Sequence, residues 1–504
     1  MSKRVIVIGS GPGGYPAALR LKELGAEVSI VEARDFGGTC LNRGCIPSKT
    51  FLDTGRRVHA FEGLRELLKD GSDAGFSPSM LDWEKVKARR STVVLKLRAS
   101  LEKLFQTKKI EVIRGRAAFT GKGEATITTP PPASGPGGPD KVGQAGGGAT
   151  PQGPALLGQS AGAGNIAGGI KPHSLCQKGG AGPIKKRFDA AVLAAGTRPG
   201  FPAPFAEFKA QLTDSDRIFD LPRLPGSILI VGGGVIGLEF ACFFNAMGVE
   251  ASVLELLPDI LAGEDPQVTR AVRSSFEKRG VKFHFGKKAV KLEISRGLKT
   301  VTLEDGTQLK AEEILVGAGR VADLSGMGLE TLGLEWNGKG VKVNEFMQTA
   351  SDDIYAVGDI NGISTLAHSA TRQGEIAAEN IFGAKKTFDA GIAPKCVYAW
   401  PEVGTVGLNI AQAQASGIAV KTSRAFFAGI GKAIATGDTE GFVQLVFDAG
   451  DETVLGAQIV GGPATELIHL IALAVKMKLK RADLQEIIYA HPTMSEAVHE
   501  ALNK

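Results

Sequence analysis

Residues 4–32 read R-V-I-V-I-G-S-G-P-G-G-Y-P-A-A-L-R-L-K-E-L-G-A-E-V-S-I-V-E. Arg4–Ile8 has the apolar run of a short buried strand. Gly9, Gly11 and Gly14 follow as G-x-G-x-x-G. A helical pattern then runs to Leu24, Gly25 stops it, and Glu27–Val31 is a second strand ending on Glu32. A glycine triplet alone is a weak signal. Between two strands, with an acid closing the second, it is the dinucleotide fingerprint in its required context. Gly9 makes the turn, Gly11 lets backbone approach a pyrophosphate, and Gly14 lets helix pack on strand. The bare N–H groups at the helix start suit phosphate, and Glu32 suits a ribose hydroxyl.

The unit returns at 227–255. Ile228–Val231 is the strand, Gly232, Gly234 and Gly237 are the fingerprint, a helix runs to about Met247, and Ala251–Glu255 is the second strand. Glu255 follows Gly232 by the same interval that separates Glu32 from Gly9. Two such units imply two dinucleotides in an α/β chain. The acid of the second favours NAD, because NADP needs a basic residue for its 2′-phosphate and Leu256 and Leu257 follow instead.

Beside the first unit lies F-G-G-T-C-L-N-R-G-C-I-P-S-K-T at 36–50, with Cys40, Cys45 and Lys49. Five residues of ideal helix rise about 7.5 Å. A disulfide needs Cα atoms within roughly 4.4–6.8 Å. The pair therefore closes only in a distorted helical turn, which Gly44 and Pro47 permit. Two small buried hydrophobes is the other reading, and the spacing alone leaves both open. The neighbouring fingerprints favour a relay. A flavin fits the first site, being the carrier that exchanges hydride with a nicotinamide and electrons with a dithiol.

The remaining chain supports three or four domains by length, 504 residues in all. Its 43% hydrophobic and 22% charged content is ordinary globular material. Five scattered cysteines (Cys40, Cys45, Cys176, Cys242, Cys396) do not make a secreted disulfide scaffold. No apolar run is long enough to span a membrane and no signal peptide is evident, so a cytoplasmic setting is expected. The net charge of +6 is concentrated in 130–186, where five lysines face one acid, so no nucleic-acid partner is inferred. That stretch, rich in Gly, Pro, Ala, Gln and Ser, reads as a flexible insertion. Its His173 and Cys176 lack further ligands, so no metal site is expected.

Residues 51–109 read as helical and amphipathic, with Arg/Lys faces over Val93, Val94, Leu97, Leu101 and Leu104. Short strands are expected over 110–128, with Ala117 before Phe119. Order is expected to resume at Phe188, in a buried strand ending in small residues. Further strands are expected over Glu312–Gly319 and Asp353–Val357, then Gly358-Asp359 and a helix from near Thr365 to Ile381. Asp359 suits a sugar-alcohol hydroxyl. The helix start near Ala367 would favour negative charge beside it, while His368 reads as a packing residue. From about Pro394 the pattern is antiparallel, Phe442–Phe447 and Val454–Ile459, then a helix over Thr465–Met477. Last comes H-P-T-M-S-E at 491–496, where Pro492 keeps His491 out of a helix and Glu496 is placed to fix its ring.

With G-G-T-C-L-N-R-G-C-I-P-S-K at 37–49, G-G-G-V-I-G-L-E at 232–239, V-G-D at 357–359 and H-P-T-M-S-E at 491–496, the chain resembles the flavin-dependent pyridine nucleotide-disulfide oxidoreductases, and within them the lipoamide branch. The likeness covers nearly everything except 130–186. It implies two Rossmann-like dinucleotide-binding domains plus a C-terminal α+β dimerisation domain. The pieces would be an FAD domain at 1–203 holding the insertion, an NAD domain at 204–324, a return to FAD contacts at 325–392 and an interface domain at 393–504. It implies a homodimer with each active site shared, and oxidation of dihydrolipoamide with reduction of NAD through a Cys40–Cys45 disulfide. The partners would be lipoyl domains of 2-oxoacid dehydrogenase complexes or the glycine cleavage H protein.

Under the same resemblance Cys40 is the interchange thiol and Cys45 the flavin-facing thiolate. Lys49 lies near the flavin and pairs with Glu239, and His491, held by Glu496, is the acid–base group from the other subunit. FAD would be held by Gly9, Gly11, Gly14, Glu32, Thr39, Lys49, Ala117, Asp359 and Ala367. NAD would be held by Gly232, Gly234, Gly237, Glu255, Ala289 and Gly319. Two departures stand out: the 130–186 insertion, and G-R-V-A-D at 319–323 in place of G-R-x-P-N. The alternatives are a glutathione or mercuric reductase-like enzyme and a non-catalytic FAD/NAD-binding module. Mercuric reductase lacks support because no further cysteine pair is present, and intact Cys40, Cys45, Lys49, His491 and Glu496 weigh against a vestigial module.

Overall fold

The computed structural model describes residues 2–64, 68, 77–129 and 182–504; His173, Cys176 and most of the insertion fall outside them. The first glycine unit forms as β1 (Arg4–Ile8), α1 (Gly14–Glu23) and β2 (Glu27–Glu32), with β1 and β2 parallel. A β-strand turns successive side chains to opposite faces. Val5 and Val7 therefore pack with Ala17 and Leu21 of α1, while Ile6 and Ile8 pack with Phe119 and Ile127 on the other side. Both faces are covered, as an all-parallel sheet requires.

The cysteine stretch forms α2 (Gly38–Arg43) and α3 (Cys45–Leu64), and α4 (Trp83–Thr107) follows. The expected amphipathic run over 51–109 is thus two helices. Asp82 caps α4, accepting from the N–H groups of Glu84 and Lys85. The buried face of α4 also differs from expectation. Val86, Val94 and Phe105 are buried, whereas Leu97 and Leu104 are exposed in the single chain.

Three strands follow, β3 (Glu111–Arg114), β4 (Arg116–Gly121) and β5 (Glu124–Thr128), and then β6 (Ile184–Arg187) and β7 (Ala190–Leu193). Here the structure corrects the boundary of the insertion. Order resumes at Ile184, because β6 pairs antiparallel with β5, Ile127 facing Ile184 and Glu124 facing Arg187. Ile184 packs on the core beneath, and Lys186 reaches Glu111 at 2.6 Å. Two lysines therefore belong to a strand whose period-2 pattern is too short to stand out beside the low-complexity run. The first sheet has the order Ile354–Ala356, β7, β1, β2, β3, so a strand more than 150 residues downstream completes it.

The second glycine unit repeats the plan with the strand Ser227–Val231, α5 (Val235–Ala246) and the strand Glu250–Glu255. Two further helices, α6 (Pro266–Lys278) and α7 (Ala367–Ile381), flank the two sheets. The C-terminal region is a five-stranded antiparallel sheet including Phe442–Asp448 and Val454–Val460, backed by the helices Ala464–Met477 and Glu496–Leu502. The architecture is α/β: two Rossmann-like units and an α+β C-terminal unit. Among the described residues no helix is long and apolar enough to cross a membrane.

The hairpin register gives a testable outcome. Joining Thr128 to Pro183 through a short Asn-Gly turn keeps β5–β6 pairing and should leave thermal stability within about 2 °C of the parent. Extending the deletion through Arg187 removes β6 and the Lys186–Glu111 pair, and should lower the melting temperature by at least about 4 °C. Differential scanning calorimetry distinguishes the two.

Candidate active site

A single cleft of about 1660 Å³ runs between the two glycine loops, past the cysteine pair, to the start of α7. Ligand pockets for one small molecule span roughly 300–1,000 Å³, so this one has room for two long cofactors. The glycines show how it is built. A Cβ on Gly9 would lie 2.2 Å from the Ala194 carbonyl oxygen, and one on Gly232 2.6 Å from that of Gly317. A Cβ on Gly14 or Gly237 would strike the carbonyl oxygen of Gly9 or Gly232 at 1.8 or 1.9 Å, so these two glycines serve helix–strand packing and do not line the cleft. The middle glycines differ. A Cβ on Gly11 would meet nothing nearer than Gly38 Cα at 3.8 Å, and one on Gly234 nothing within 4 Å. Both line the cleft, leaving the open approach to backbone N–H groups that a pyrophosphate needs.

The acids closing the two units behave alike. Glu32, 9% exposed, accepts from Ser10 N at 2.9 Å, Ser10 Oγ at 2.6 Å and Arg34 N at 2.7 Å. Glu255 accepts from Gly233 N at 2.6 Å and Leu257 N at 2.8 Å. Each carboxylate thus braces its own glycine loop while lining the cleft.

The cysteine pair is docked onto the first loop by glycine. Gly38 has φ +66°, and a Cβ there would lie 2.4 Å from Gly11 Cα, so α2 starts in backbone contact with the nucleotide loop. Asn42 holds the turn, donating to the carbonyls of Gly38 at 2.8 Å and Phe36 at 3.0 Å and accepting from Arg98 Nε at 3.0 Å. Gly44, at φ −133° and ψ −113°, breaks the helix between the cysteines. This is the distorted turn expected from the spacing. Both are thiols here. The two thiols act on each other, which pushes Cys40 up and brings Cys45 down to about 7, with Lys49 also favouring the Cys45 thiolate. Thiolate is the reactive form, and Cys45 is the member of the pair that ionises first.

Lys49 Nζ donates to Glu239 Oε1 at 2.9 Å and Oε2 at 3.0 Å; the Glu239 side chain is 5% exposed. This pair ties the cysteine helix to α5. The aromatic stack of Phe51 on Phe243, with centroids 4.9 Å apart, lies along the same seam. Thr39, Ala117, Ala289, Gly319, Asp359 and Ala367 also line the cleft. Asp359 accepts from Thr197 Oγ1 at 2.8 Å, and Arg320 Nε donates to the same hydroxyl at 2.9 Å. Arg320 in turn lies 3.4 Å from Asp216, which faces Arg43 of α2 at 3.7 Å. This chain across the cleft had only one sequence signal, the G-R dipeptide at 319–320. His368 is exposed at the cleft edge and bonds the Pro394 carbonyl oxygen at 2.8 Å, so it is not the packing residue expected. Tyr398 and Cys396 also line the cleft without any sequence forewarning.

His491 and Glu496 stand apart. His491 Nδ1 lies 2.9 Å from Glu496 Oε1, and Thr493 N donates to Oε2 at 2.9 Å. The histidine bond holds the Glu496 carboxyl below its ordinary range. The His491 side chain is 76% exposed and borders no part of the cleft within this chain.

Comparison with known proteins follows the same lines. The family model described as pyridine nucleotide-disulphide oxidoreductase matches residues 3–142 and 170–374, and that of the family's dimerisation domain matches 393–502. A dihydrolipoyl dehydrogenase of Bacillus subtilis is 34% identical, over 99% of this chain and 96% of its own length. A protein of the same name in Chlamydia muridarum is 33% identical, over 97% of this chain and 94% of its own. The crystal structure of LpdA from Mycobacterium tuberculosis superposes with a TM-score of 0.83 at 23% identity, covering 99% of both chains, and so shares the fold.

Because Lys49 favours the Cys45 thiolate, removing its charge has a definite sign. In Lys49→Met the midpoint for Cys45 ionisation should rise from about 7 by about one unit or more. Alkylation rates at Cys45 in the reduced protein, followed by peptide mass spectrometry across roughly pH 5–9, measure it. An unmoved midpoint would mean that the ammonium does not act on this sulfur.

Proposed function

This chain belongs to the pyridine nucleotide-disulphide oxidoreductase family, and on that premise we propose that it oxidises dihydrolipoamide to lipoamide through Cys40 and Cys45 and passes the electrons to NAD. It is an FAD- and NAD(H)-using oxidoreductase of a homodimeric kind. The observation that carries the reading is the polarised thiol pair lying in one cleft with both glycine loops.

The residues fit the cofactors. Open space over Gly11 and Gly234 suits two pyrophosphates, and Asp359 and the α7 N-terminus at Ala367 border the remainder of the first site. Bound FAD supplies two-electron exchange between a dithiol and a nicotinamide. The protein's part begins with the Cys40–Cys45 disulfide. A substrate thiolate attacks Cys40 Sγ, the S–S bond breaks, and Cys45 leaves as thiolate, stabilised by Lys49. The second substrate thiol, giving its proton to His491, displaces Cys40 from the mixed disulfide. The substrate leaves as a cyclic disulfide, having lost two electrons; the departing Cys40 sulfur takes the proton back from the His491 imidazolium, so the pair is left as a Cys40 thiol and a Cys45 thiolate. Glu496 orients the imidazole through its contact with Nδ1. The assignments of Gly9, Gly11, Glu32, Thr39, Lys49, Ala117, Asp359 and Ala367 to FAD, and of Gly232, Gly234, Glu255, Ala289 and Gly319 to NAD, belong to this proposal, while Gly14 and Gly237 serve it only by letting their helices pack close behind the loops. So do the four-part division at 203, 324 and 392, a reducing cytoplasmic setting, and lipoyl domains as the carriers of the substrate.

Steady-state assays with dihydrolipoamide, oxidised glutathione and Hg(II) test the substrate class. Dihydrolipoamide should be preferred by at least about 100-fold in kcat/KM, equivalent to roughly 2.7 kcal/mol. A preference for glutathione or Hg(II) would overturn the reading. For the cofactor, Glu255→Arg should narrow or reverse the NAD preference by removing like-charge repulsion of a 2′-phosphate, whereas equal use of NAD and NADP by the parent would remove Glu255 as the determinant.

The shared site has its own test. Homodimers of Cys45→Ser and of His491→Gln should each be nearly inactive. Denatured and refolded together, they should form a mixed dimer with one intact site, regaining up to about half of parental activity if two-fold sites act independently. No recovery from verified mixed dimers would place His491 in its own chain's site.

A further inference from the structure

Lys49 has a second partner besides Glu239. Its Nζ lies 4.4 Å from the centroid of the Tyr398 ring. The Tyr398 backbone N–H donates to Glu239 Oε1 at 3.2 Å, so one residue touches both members of the ion pair. Three distant stretches meet there: Lys49 from the cysteine helix, Glu239 from the second glycine helix, and Tyr398 just after the strand Lys395–Val397. An ammonium has three N–H donors and no acceptor. Two directions are used on the Glu239 oxygens. A lysine also sits on a flexible four-carbon stem, and Lys49 is 33% exposed. The carboxylate alone therefore leaves one side of the ammonium open to water and to other rotamers.

We propose that Tyr398 is a positioning residue for the reaction: its ring face closes the open side of the Lys49 ammonium and holds that charge beside Cys45. The ring face is the negative end of an aromatic quadrupole, so it attracts a cation without competing for its hydrogen bonds. The charged and titratable groups around Cys45 are Cys40, Lys49 and Glu239; around Tyr398 they are Lys49, Cys396, Glu239, Glu402 and Glu466. Lys49 is the cation among them. Lys49 meets the ring face of Tyr398, so Tyr398→Phe removes the hydroxyl and keeps that contact, which separates the role of the ring from that of the hydroxyl.

The inference rests on Cys45 being the flavin-facing thiolate, and the experiment keeps the two apart. The reduced, FAD-loaded protein is titrated with pH while its long-wavelength charge-transfer absorbance is recorded. The existence of the band tests the function, and its midpoint tests Tyr398. Tyr398→Phe keeps the ring face and should titrate with the parent. Tyr398→Leu should raise the midpoint by roughly half a unit, a threefold loss of thiolate on the acid side. If the leucine variant fails to retain FAD, pentafluorophenylalanine at 398 replaces it. That ring has nearly the shape of phenylalanine with the quadrupole reversed, and should raise the midpoint relative to Tyr398→Phe. Equal midpoints for phenylalanine and its fluorinated form would overturn the proposal, as would equal shifts in Tyr398→Phe and Tyr398→Leu, which would assign the effect to the hydroxyl.

Discussion

The Lys49–Glu239 ion pair is the interaction on which the rest of the active centre depends. Removing a carboxylate from water without a partner costs on the order of several kcal/mol, and Glu239 is almost fully enclosed. Its only described cation partner is Lys49, one turn beyond Cys45. The cysteine helix therefore cannot shift relative to the second nucleotide unit without exposing a buried charge to an apolar seam of Phe51, Phe243 and Phe244. Apolar packing alone would tolerate a register slip along that seam. The ion pair does not, and it fixes which turn of α3 faces the cleft.

The two glycine units explain how two such partners are brought to one cleft. In each, the third glycine lets the helix start within contact of its own strand, and the closing acid ties back to a loop N–H. The loops are thus rigid before any ligand arrives, and cost little to order on binding. The first loop has a further use. Its Gly11 is where Gly38 lands, so the backbone proposed to receive a pyrophosphate also seats the cysteine turn. Position 38 must combine a left-handed φ with no Cβ, and only glycine does both.

Local features were legible from the amino-acid order. The strands, the fingerprints, the break at Gly44 and the His491–Glu496 pairing all arise within a few residues of chain. What was not legible depends on which surface meets which. Leu97 and Leu104 look like core residues on a helical wheel, yet the neighbours of α4 cover Val94 and Phe105 instead. β6 is four residues long and gains its stability from pairing with β5 across the insertion. Tyr398 carries no local sign of contact with Lys49, nearly 350 residues earlier, and Asp216 none of its meeting with Arg320 and Arg43.

The chemistry also divides along this line. Within one chain the cleft supplies a thiolate, a cation to hold it, and room for both cofactors, but the imidazole that would manage the substrate protons is elsewhere and largely exposed. His491 and Glu496 are already hydrogen-bonded to each other, so the pair needs no rearrangement to act, only a neighbouring surface to face. The exposed apolar residues of the C-terminal unit, among them Ile434, Leu473, Met477 and Ile488, lie in the stretch matched by the dimerisation-domain model. Under the proposed shared site, electron transfer needs a geometry that one chain can fix by itself, while proton transfer to substrate waits on the assembled dimer. On that proposal a monomer of this chain would hold its cofactors in a formed cleft and still lack the base that the substrate thiol requires.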